Sequence, residues 1–346
     1  MRIAYLIATS EFSGGAKIVF LQAEALARRG HQVTVVSPQA KPDWFRFIRS
    51  RFELASFRES RALAEADVRV ATFWSTVEPA VDGARGPVFH LCQGYEGGFA
   101  LYRDRREAIE NAYRAPTHKL AISETLAARL TSLGFGPAES VGQAFDVENF
   151  FPGAEREIPN PPVVLVVGPY ETDVKGVDVA LAGLRLFRAS GGAFRLRRIA
   201  TVEMDPDEQS LGLTDEYHFL LPPERMPFAY RSSDIFIGPS RSKEGFGLPV
   251  LEALSCGVPT LLSDTPTHRE IAGKAAWYFS DGEPESLAAA LPQLTTRAAR
   301  ETARVEGPQA AARFGTSGVS ERLERAFLRA LEHPRSTGPT GGGVPR

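Results

Sequence analysis

The pattern of apolar and polar residues in the first half of the chain is that of repeated β-α-β units. An apolar run at residues 3–8 predicts a buried strand, the amphipathic stretch 17–29 predicts a helix, and residues 32–37 predict a second strand after a stop at Gly30. Strands that alternate with helices in this way indicate an α/β fold with a parallel sheet. Further strands are predicted at 69–73, 88–92 and 119–122, with a helix at 124–133.

The second half of the chain repeats this alternation after a segment rich in structure breakers. Pro and Gly residues at 151–153 and 159–162 flank a charged stretch, and residues 163–167 then begin a new buried strand. This pattern predicts a domain boundary near residue 150. Further strands are predicted at 195–201, 217–221, 235–238, 259–263 and 275–279.

The end of the chain combines one more helical pattern with a tail of low complexity. An apolar face predicts a helix at 316–333, whereas the Gly- and Pro-rich residues 334–346 are predicted to be disordered. The apolar face consists of Val319, Leu323, Phe327 and Leu331.

Composition fits a globular protein and excludes several classes of partner. The chain has 346 residues with 43% hydrophobic content, enough for two domains with separate cores. Lys and Arg total 40 and Asp and Glu total 42, so a net charge of −2 provides no basic field for nucleic acid. The spacing of Cys92 and Cys256 argues against a disulfide framework or a zinc site. The first apolar run is too short for a secretion signal or a spanning helix, so we expect a cytoplasmic location.

A glycine-rich turn runs into a predicted helix between Glu244 and Glu252. Gly245 and Gly247 let the backbone approach a ligand closely, and the positive end of a helix at Leu248–Ser255 favours an anion. Carboxylates that border such an anion accept hydrogen bonds only, which suits sugar or ribose hydroxyls. The segment therefore predicts a site for a diphosphate joined to sugars. The alternative is an ordinary helix start with a stray acidic residue.

Two further loops follow predicted strands, at the edge where open α/β sheets bind ligands. Lys175 lies in the loop after strand 163–167 and can reach a diphosphate there, although a solvated loop lysine is the alternative. Gly14 and Gly15 follow the first strand without completing a Gly-x-Gly-x-x-Gly pattern. They form either a backbone cradle facing the ligand or only a tight turn.

The segment from Glu244 to Glu252 resembles the Glu-x7-Glu motif of retaining glycosyltransferases of family 4. Residues 234–240 before it and 256–260 after it also look like that family. The resemblance implies a GT-B fold, in which two Rossmann-like α/β domains with parallel sheets face each other across a cleft. Implied domain limits are 1–150 for the acceptor side and 151–315 for the nucleotide sugar, with the helix at 316–333 crossing back to the first domain.

The same resemblance implies roles for individual residues. The catalytic candidates are Lys175, which would hold the leaving diphosphate, and Glu244, which would position the donor sugar. Glu252 would bind the ribose. The substrate-binding candidates are Gly14, Gly15, Gln93, Glu96, Ser240, Gly245, Phe246, Gly247, Leu248 and Glu252.

Two details qualify the resemblance. Residues 89–96 are similar to the Gln-x-Tyr-Glu loop of some bacterial rhamnosyltransferases of the family, which points to the donor sugar. Within that segment we interpret His90 as a hydrogen-bonded core residue rather than a general base. The family also has an arginine a few residues before the lysine, whereas Pro169 or Tyr170 stands there in this chain.

Two other polar motifs are interpreted as structural. Asp205 and Asp207 spell the Asp-x-Asp of metal-dependent glycosyltransferases, but their polar surroundings predict a solvated loop. We therefore expect no obligatory metal and no cofactor. His268 and Glu270 could form a polar couple, and we assign them to the start of a helix lining the donor domain.

Residues 44–61 interleave bulky apolar side chains with arginines. As a helix, this stretch would place Trp44, Phe47 and Ile48 near one face with arginines at its flanks. Such a helix suits an anionic membrane surface or a lipid-linked acceptor. The alternative is a helix that packs its aromatic residues on its own sheet. Peripheral contact with the inner face of the cell membrane is therefore a hypothesis.

The sequence as a whole predicts a retaining transferase that moves a hexosyl unit from a nucleoside diphosphate sugar to a saccharide or lipid-linked acceptor in glycan biosynthesis. Three alternatives stay open. They are a non-catalytic nucleotide-sugar-binding partner of the same fold, a same-fold phosphorylase or epimerase, and a nicotinamide dehydrogenase. The incomplete glycine fingerprint disfavours the last of these.

Overall fold

The computed structural model describes residues 1–333 and folds them into two α/β domains, each built on one parallel sheet. The predicted tail at 334–346 lies outside the described residues. The strands of the first sheet are β1 (Arg2–Leu6), β2 (Gln32–Ser37), β3 (Arg51–Leu54), β4 (Val68–Ala71), β5 (Val88–Cys92), β6 (His118–Ala121) and β7 (Ala138–Ser140). Their spatial order is β3-β2-β1-β4-β5-β6-β7.

The second sheet begins after the predicted linker. Its strands are β8 (Val163–Val167), β9 (Arg195–Ala200), β10 (Thr214–Phe219), β11 (Ile235–Gly238), β12 (Thr260–Ser263) and β13 (Trp277–Phe279). Their spatial order is β10-β9-β8-β11-β12-β13.

Helices connect the strands and cover both sheets. In the first domain they are α1 (Gly14–Arg28), α2 (Arg61–Glu65), α3 (Val77–Val81), α4 (Arg106–Arg114) and α5 (Glu124–Ser132). After the linker they are α6 (Val177–Ala189), α7 (Pro206–Ser210), α8 (Met226–Arg231), α9 (Leu248–Ser255), α10 (Pro266–Ala272), α11 (Pro284–Ala290), α12 (Arg297–Ala312) and α13 (Thr316–Glu332). None of these described helices is long and apolar enough to cross a bilayer.

The order of strands fixes where a ligand can bind. In the first sheet β1 lies between β2 and β4, and in the second sheet β8 lies between β9 and β11. The chain therefore winds in opposite directions on the two sides of β1 and of β8. Open α/β sheets bind ligands at the carboxyl ends of the strands beside such a switch point.

Most predicted elements have the expected type, and the largest shift in a strand boundary is at β10. This strand begins at Thr214, three residues before the predicted start. The sequence of β10 is largely polar because it is an edge strand and only partly buried. Its first residue therefore could not be located from an apolar run in the sequence.

The predicted helix at 44–61 is wrong, because this stretch contains irregular backbone followed by the edge strand β3. The rings of Trp44, Phe45 and Phe47 lie 5.3, 5.1 and 5.0 Å from the ring of Phe20. Three aromatic side chains this close in sequence cover one ring on α1 only if the backbone is not helical. The Glu24 carboxylate replaces helical carbonyls as acceptor for the backbone amides of residues 48–50.

Helix α13 packs against the first domain. The Phe327 ring lies 4.8 Å from the ring of Phe89 on β5. The Glu324 carboxylate lies 2.7 Å from His31 Nε2 and also pairs with Arg29. The last described helix therefore lies on the first domain.

Candidate functional site

A cavity of about 540 Å³ lies between the two domains, at the carboxyl ends of both sets of central strands. The second domain lines it with the loops that follow β8 and β11 and with the start of α9. The first domain contributes the loops that follow β1 and β5. The two switch points therefore open into one cleft.

The N-terminus of α9 forms the floor of this cavity. Gly247 caps the helix with φ of 93°, a left-handed conformation in which a residue with a Cβ is strained. Pro249 occupies the first turn, where a missing N–H has no helical partner to lose. Buried Phe246 anchors the loop by packing on Phe314 at a ring distance of 5.1 Å. Pro249 has no N–H and the Val250 amide donates to the Gly247 carbonyl, so the Leu248 amide and the positive end of the α9 dipole lie at the cavity.

Lys175 and Glu244 form an ion pair inside the cavity. Burial acts to raise the pKa of the Glu244 carboxyl, but the Lys175 ammonium, the Ser240 side chain and nearby His268 together outweigh burial, so the pKa is lowered and the carboxyl is ionised. Glu244 Oε2 is buried and has no hydrogen-bond partner within residues 1–333. A buried carboxylate oxygen without a donor is well suited to receive a ligand hydroxyl.

The loop that carries Lys175 is held tightly in place. Gly176 has φ of 61°, and a Cβ added to it would lie 2.2 Å from the Pro239 carbonyl oxygen. Below the loop, the buried Arg198 guanidinium donates to the carbonyls of Val166 and Gly168, each at 2.8 Å. The lysine is therefore positioned by backbone contacts on both sides.

Glu252 is buried and already has two partners. The Tyr230 hydroxyl donates to Oε2 at 2.9 Å, and Lys17 Nζ of the first domain lies 3.4 Å from Oε1. Neither partner was among the candidates from the sequence. Lys17 follows Gly15 by two residues on α1, but helical periodicity could not show that this side of α1 faces the second domain.

The two domains touch at the glycine-rich loops. A Cβ on Gly245 would lie 2.2 Å from the Gln93 carbonyl oxygen, and a Cβ on Gly14 would lie 3.5 Å from Leu248. The Gln93 side chain in turn lies 3.4 Å from the Gly15 carbonyl oxygen. Glycine is therefore required at 245 for this close approach of the domains, and the cleft is closed at that point.

Ten of the candidate residues line the cavity together, and two do not. Those that line it are Gly14, Gly15, Gln93, Lys175, Glu244, Gly245, Phe246, Gly247, Leu248 and Glu252. Glu96 instead lies buried in the first domain, where the Tyr113 hydroxyl donates to it at 2.6 Å and burial raises its pKa. Ser240 lies outside the lining, but its side chain is a hydrogen-bonding neighbour of Glu244 that helps to lower the pKa of that carboxyl, and its carbonyl oxygen accepts from the Ser263 hydroxyl. The roles of all twelve stay predictions.

The residues set aside as structural have varied environments. Asp205 caps α7 by accepting from the Asp207 amide at 2.8 Å. Within residues 1–333 no group of three or more His, Cys, Asp or Glu side chains could hold a metal ion.

His90 is fully buried, and burial with nearby Lys119 lowers its pKa to about 3. Neither ring nitrogen of His90 has a hydrogen-bond partner in the described part of the chain, so the expected hydrogen bond is wrong.

His268 and Glu270 lie on α10, as expected, but they do not form a couple. His268 Nδ1 donates to the Ser263 carbonyl at 2.8 Å, and burial lowers the pKa of the ring. The neutral imidazole therefore turns Nε2 towards Gly247, about 4.0 Å from a Cβ placed there. Glu270 caps α5 of the first domain by accepting from the amides of Glu124 and Thr125, both at 2.8 Å. Glu270 thus joins the two domains.

Comparison with known proteins gives a family description for part of the chain. Residues 161–297 match the family model described as "Glycosyl transferases group 1". The chain is 32% identical over 108 residues to the O-antigen chain mannosyltransferase B of Escherichia coli, covering 31% of this chain and 28% of that protein. It is 26% identical to a phosphatidyl-myo-inositol mannosyltransferase of Mycobacterium tuberculosis, covering 94% of this chain and 96% of that protein. Several other curated relatives are matched over less than half of their length.

Solved structures resemble the whole chain. Sucrose-phosphate synthase from Thermosynechococcus elongatus superimposes with a TM-score of 0.76 at 18% identity, covering 95% of this chain and 99% of that chain. Anabaena HepE in complex with UDP and glucose superimposes with a TM-score of 0.74 at 16% identity, covering 96% and 100%. With two parallel-sheet domains facing one cleft, the fold is GT-B. Within that fold, residues 161–297 carry a glycosyl transferases group 1 domain.

Proposed function

We propose that the protein is a retaining glycosyltransferase that moves a hexosyl unit from a nucleoside diphosphate sugar to an acceptor hydroxyl in glycan or glycoconjugate biosynthesis. One observation carries the proposal: Lys175, the start of α9 and the two carboxylates Glu244 and Glu252 line a single closed cleft at both switch points. A cation and free amides suit a diphosphate, and the carboxylates suit the hydroxyls on either side of it. The curated relatives named mannosyltransferases and the UDP and glucose bound to HepE support the same chemistry.

Stabilisation of the leaving group dominates the proposed mechanism. The bond from the anomeric carbon to the β-phosphate oxygen breaks, and its electron pair stays on the diphosphate. Lys175, the amides of residues 245–248 and the positive end of the α9 dipole offset this negative charge. The acceptor oxygen bonds to the anomeric carbon on the same face and gives its proton to the departing phosphate, so no protein base is required. Glu244 positions the donor sugar and Glu252 binds the ribose.

Lys17 supplies a second positive charge from the opposite wall of the cleft. Lys17 and Lys175 are the cationic side chains among the residues that line the cavity. One lysine does not balance the whole charge of a diphosphate. The Lys17 ammonium lies 3.4 Å from Glu252 Oε1, a long contact that it can exchange for a phosphate oxygen. Lys17→Met should therefore weaken binding of a nucleoside diphosphate more than binding of the nucleoside. Equal losses for both ligands would assign Lys17 to the ribose end instead.

The absence of a metal requirement and contact with a membrane surface are further parts of the proposal. The Asp205 carboxylate caps α7 and neither Asp205 nor Asp207 lines the cleft, so turnover should survive EDTA. Membrane contact rests on the exposed side chains of Arg46, Ile48 and Arg49, because the aromatic residues of that segment are partly buried against the first domain. Salt-sensitive co-sedimentation with anionic vesicles that Arg46→Glu with Arg49→Glu abolishes would support it, and absence of binding at low ionic strength would exclude it.

A thermal-shift panel of UDP, GDP and dTDP sugars tests the binding step. A ligand at a concentration of 100 times its dissociation constant stabilises the folded state by about 2.7 kcal/mol, so one donor family should stand out. The selected donor is then incubated with saccharide acceptors, and the released nucleoside diphosphate is measured. No stabilisation by any of these sugars would contradict the proposal.

A non-catalytic nucleotide-sugar-binding protein is the second candidate. It is favoured by the loop from Gly168 to Lys175, which contains no arginine to assist the lysine at a diphosphate. Donor binding without transfer or hydrolysis, alone or with candidate partner proteins, would support this alternative.

A further inference from the structure

A second cavity of about 500 Å³ lies at the linker between the domains, and it shares no lining residue with the cleft. Its walls are the linker residues 153–158, residues 256–259 at the end of α9, and α12. The proposed transfer reaction uses none of these residues.

The inner wall of this cavity has an excess of positive charge. Four partly buried arginines line it, and the buried acid in contact with them is Asp234. Asp234 Oδ1 lies 2.8 Å from a guanidinium nitrogen of Arg156 and 2.8 Å from one of Arg300, while Oδ2 accepts from the Val163 amide. One carboxylate is therefore shared by two of the four guanidinium groups. The four arginines are Arg156, Arg231, Arg300 and Arg304.

The acidic residues of the lining lie at the rim and do not neutralise this wall. Glu155, Glu157 and Glu301 are all exposed. Glu301 pairs at 2.8 Å with the exposed Arg297, one turn away on the surface of α12. Exposed pairs of this kind are screened by water and contribute little field inside the cavity.

Like Arg304, Arg231 has no ion-pair partner in the described part of the chain, whereas Arg156 and Arg300 both pair with Asp234. The Arg231 guanidinium stacks on the Phe151 ring at 4.7 Å. Its Nη1 is buried without a hydrogen-bond partner there. Burial lowers the pKa of Arg300, and the nearby Arg156 and Arg304 add to this effect while Asp234 opposes it. Uncompensated guanidinium groups in a cavity are costly unless an anion joins them.

We propose that this cavity is a binding site for a small phosphate-bearing anion, either inorganic phosphate or the phosphate group of a sugar phosphate. The planar fork of a guanidinium matches two oxygens of a tetrahedral oxoanion, and several forks converge here. The Arg231 guanidinium, whose Nη1 has no hydrogen-bond partner in the described chain, and the Arg304 guanidinium supply donors for such an anion. One nitrogen of Arg304, Nη2, donates to the Gly153 carbonyl at 2.9 Å.

The test is isothermal titration of the full chain with inorganic phosphate and, separately, with a hexose 1-phosphate, at constant ionic strength set with chloride. All titrations use protein that carries Lys175→Ala, so that phosphate held in the cleft is suppressed. In this background at least one of the two ligands should bind. Adding Arg231→Gln should weaken it by about tenfold or more, as expected for lost charge-assisted hydrogen bonds. The matched control Arg297→Gln removes a rim arginine and should change the affinity by less than about twofold.

Two further outcomes decide the proposal. Arg231→Lys keeps the charge but not the fork, so a similar loss with unchanged thermal unfolding of the free protein would support bidentate binding. Binding that Arg231→Gln leaves unchanged, or no binding of either ligand, would overturn the proposed site. Because nucleotide-sugar binding is scored separately in the thermal-shift panel on the native chain, failure here leaves the proposed transfer reaction intact.

Discussion

Lys175 and Glu244 neutralise each other in the closed cleft, and a bound donor would replace one partner of each. The lysine would pair with the diphosphate, and the free Glu244 oxygen would accept a hydrogen bond from a sugar hydroxyl. The charge on the diphosphate grows as the anomeric bond breaks, so the interaction with Lys175 is strongest in the transition state.

Lys175→Ala should therefore lower kcat by about a hundredfold or more, the usual loss when one stabilising donor is removed from a developing anion. Initial-rate kinetics with the selected donor measure this effect. Lys243→Ala is the matched control, because Lys243 is exposed in the loop next to Glu244. An increase in KM with unchanged kcat would show that the lysine binds donor and transition state equally, contrary to this account.

Glu252→Gln should weaken binding of the nucleoside diphosphate as well as of the nucleotide sugar. If Glu252 accepts hydrogen bonds from both ribose hydroxyls as proposed, the amide loses the negative charge that strengthens them, so the dissociation constant should rise by about tenfold or more. Titration calorimetry measures it, with the exposed Glu285→Gln as control. Unchanged affinity would remove the ribose role from this residue.

The sequence revealed the residues of the cleft whose type and spacing carry chemistry, but not those that meet only after folding. Gly245, Gly247 and Glu252 belong to one local motif, and the structure brings them to one cavity. Lys17 and Tyr230 reach Glu252 from distant parts of the chain. Their positions depend on how the domains face each other, which no local pattern encodes.

Among the elements, the strands and helices with a buried apolar pattern were predictable. Strand β8 and helix α9 have the predicted limits because an apolar run and a glycine-proline start define them locally. The stretch 44–61 was not predictable in this way. Its aromatic residues pack on Phe20 and its amides bond to Glu24, both of which are distant in sequence. Tertiary contacts overrode the helical pattern there.

Phe327→Ala should test whether α13 is a structural part of the first domain. The ring is fully buried against Phe89, so its removal should lower the free energy of unfolding by about 3–5 kcal/mol. Urea unfolding followed by circular dichroism measures the change. Leu328→Ala, at the neighbouring exposed position, should have little effect. Equal stability of the two variants would mean that α13 adds little to the first domain.

At the scale of the whole molecule, the proposed transfer depends on the closed cleft. Gly245 and Gln93 touch across it, and Glu270 caps α5 of the opposite domain. The two-domain architecture could be predicted from the break in pattern near residue 150. The contact between the domains could not, because it joins loops whose sequences show no preference for each other.

Gly245→Ala should hinder closure without unfolding either domain. Its new Cβ would clash with the Gln93 carbonyl, while its own backbone conformation is open to any residue. Misplacing the reacting groups by about 1 Å costs on the order of 100-fold in rate, so kcat/KM should fall strongly. Gly94→Ala is the control, since its Cβ would make only an ordinary contact at 3.7 Å with Phe99. Full activity of Gly245→Ala would show that catalysis does not need this contact.

The most direct test of the central claim is the configuration of the sugar that the protein releases. The donor selected by thermal shift is incubated with the protein in water, and slow hydrolysis is followed by proton NMR before the free sugar equilibrates. The account predicts that the first sugar formed keeps the anomeric configuration of the donor, and that Lys175→Ala forms almost none. A first product of inverted configuration, or hydrolysis that survives Lys175→Ala unchanged, would contradict a retaining transferase at this cleft.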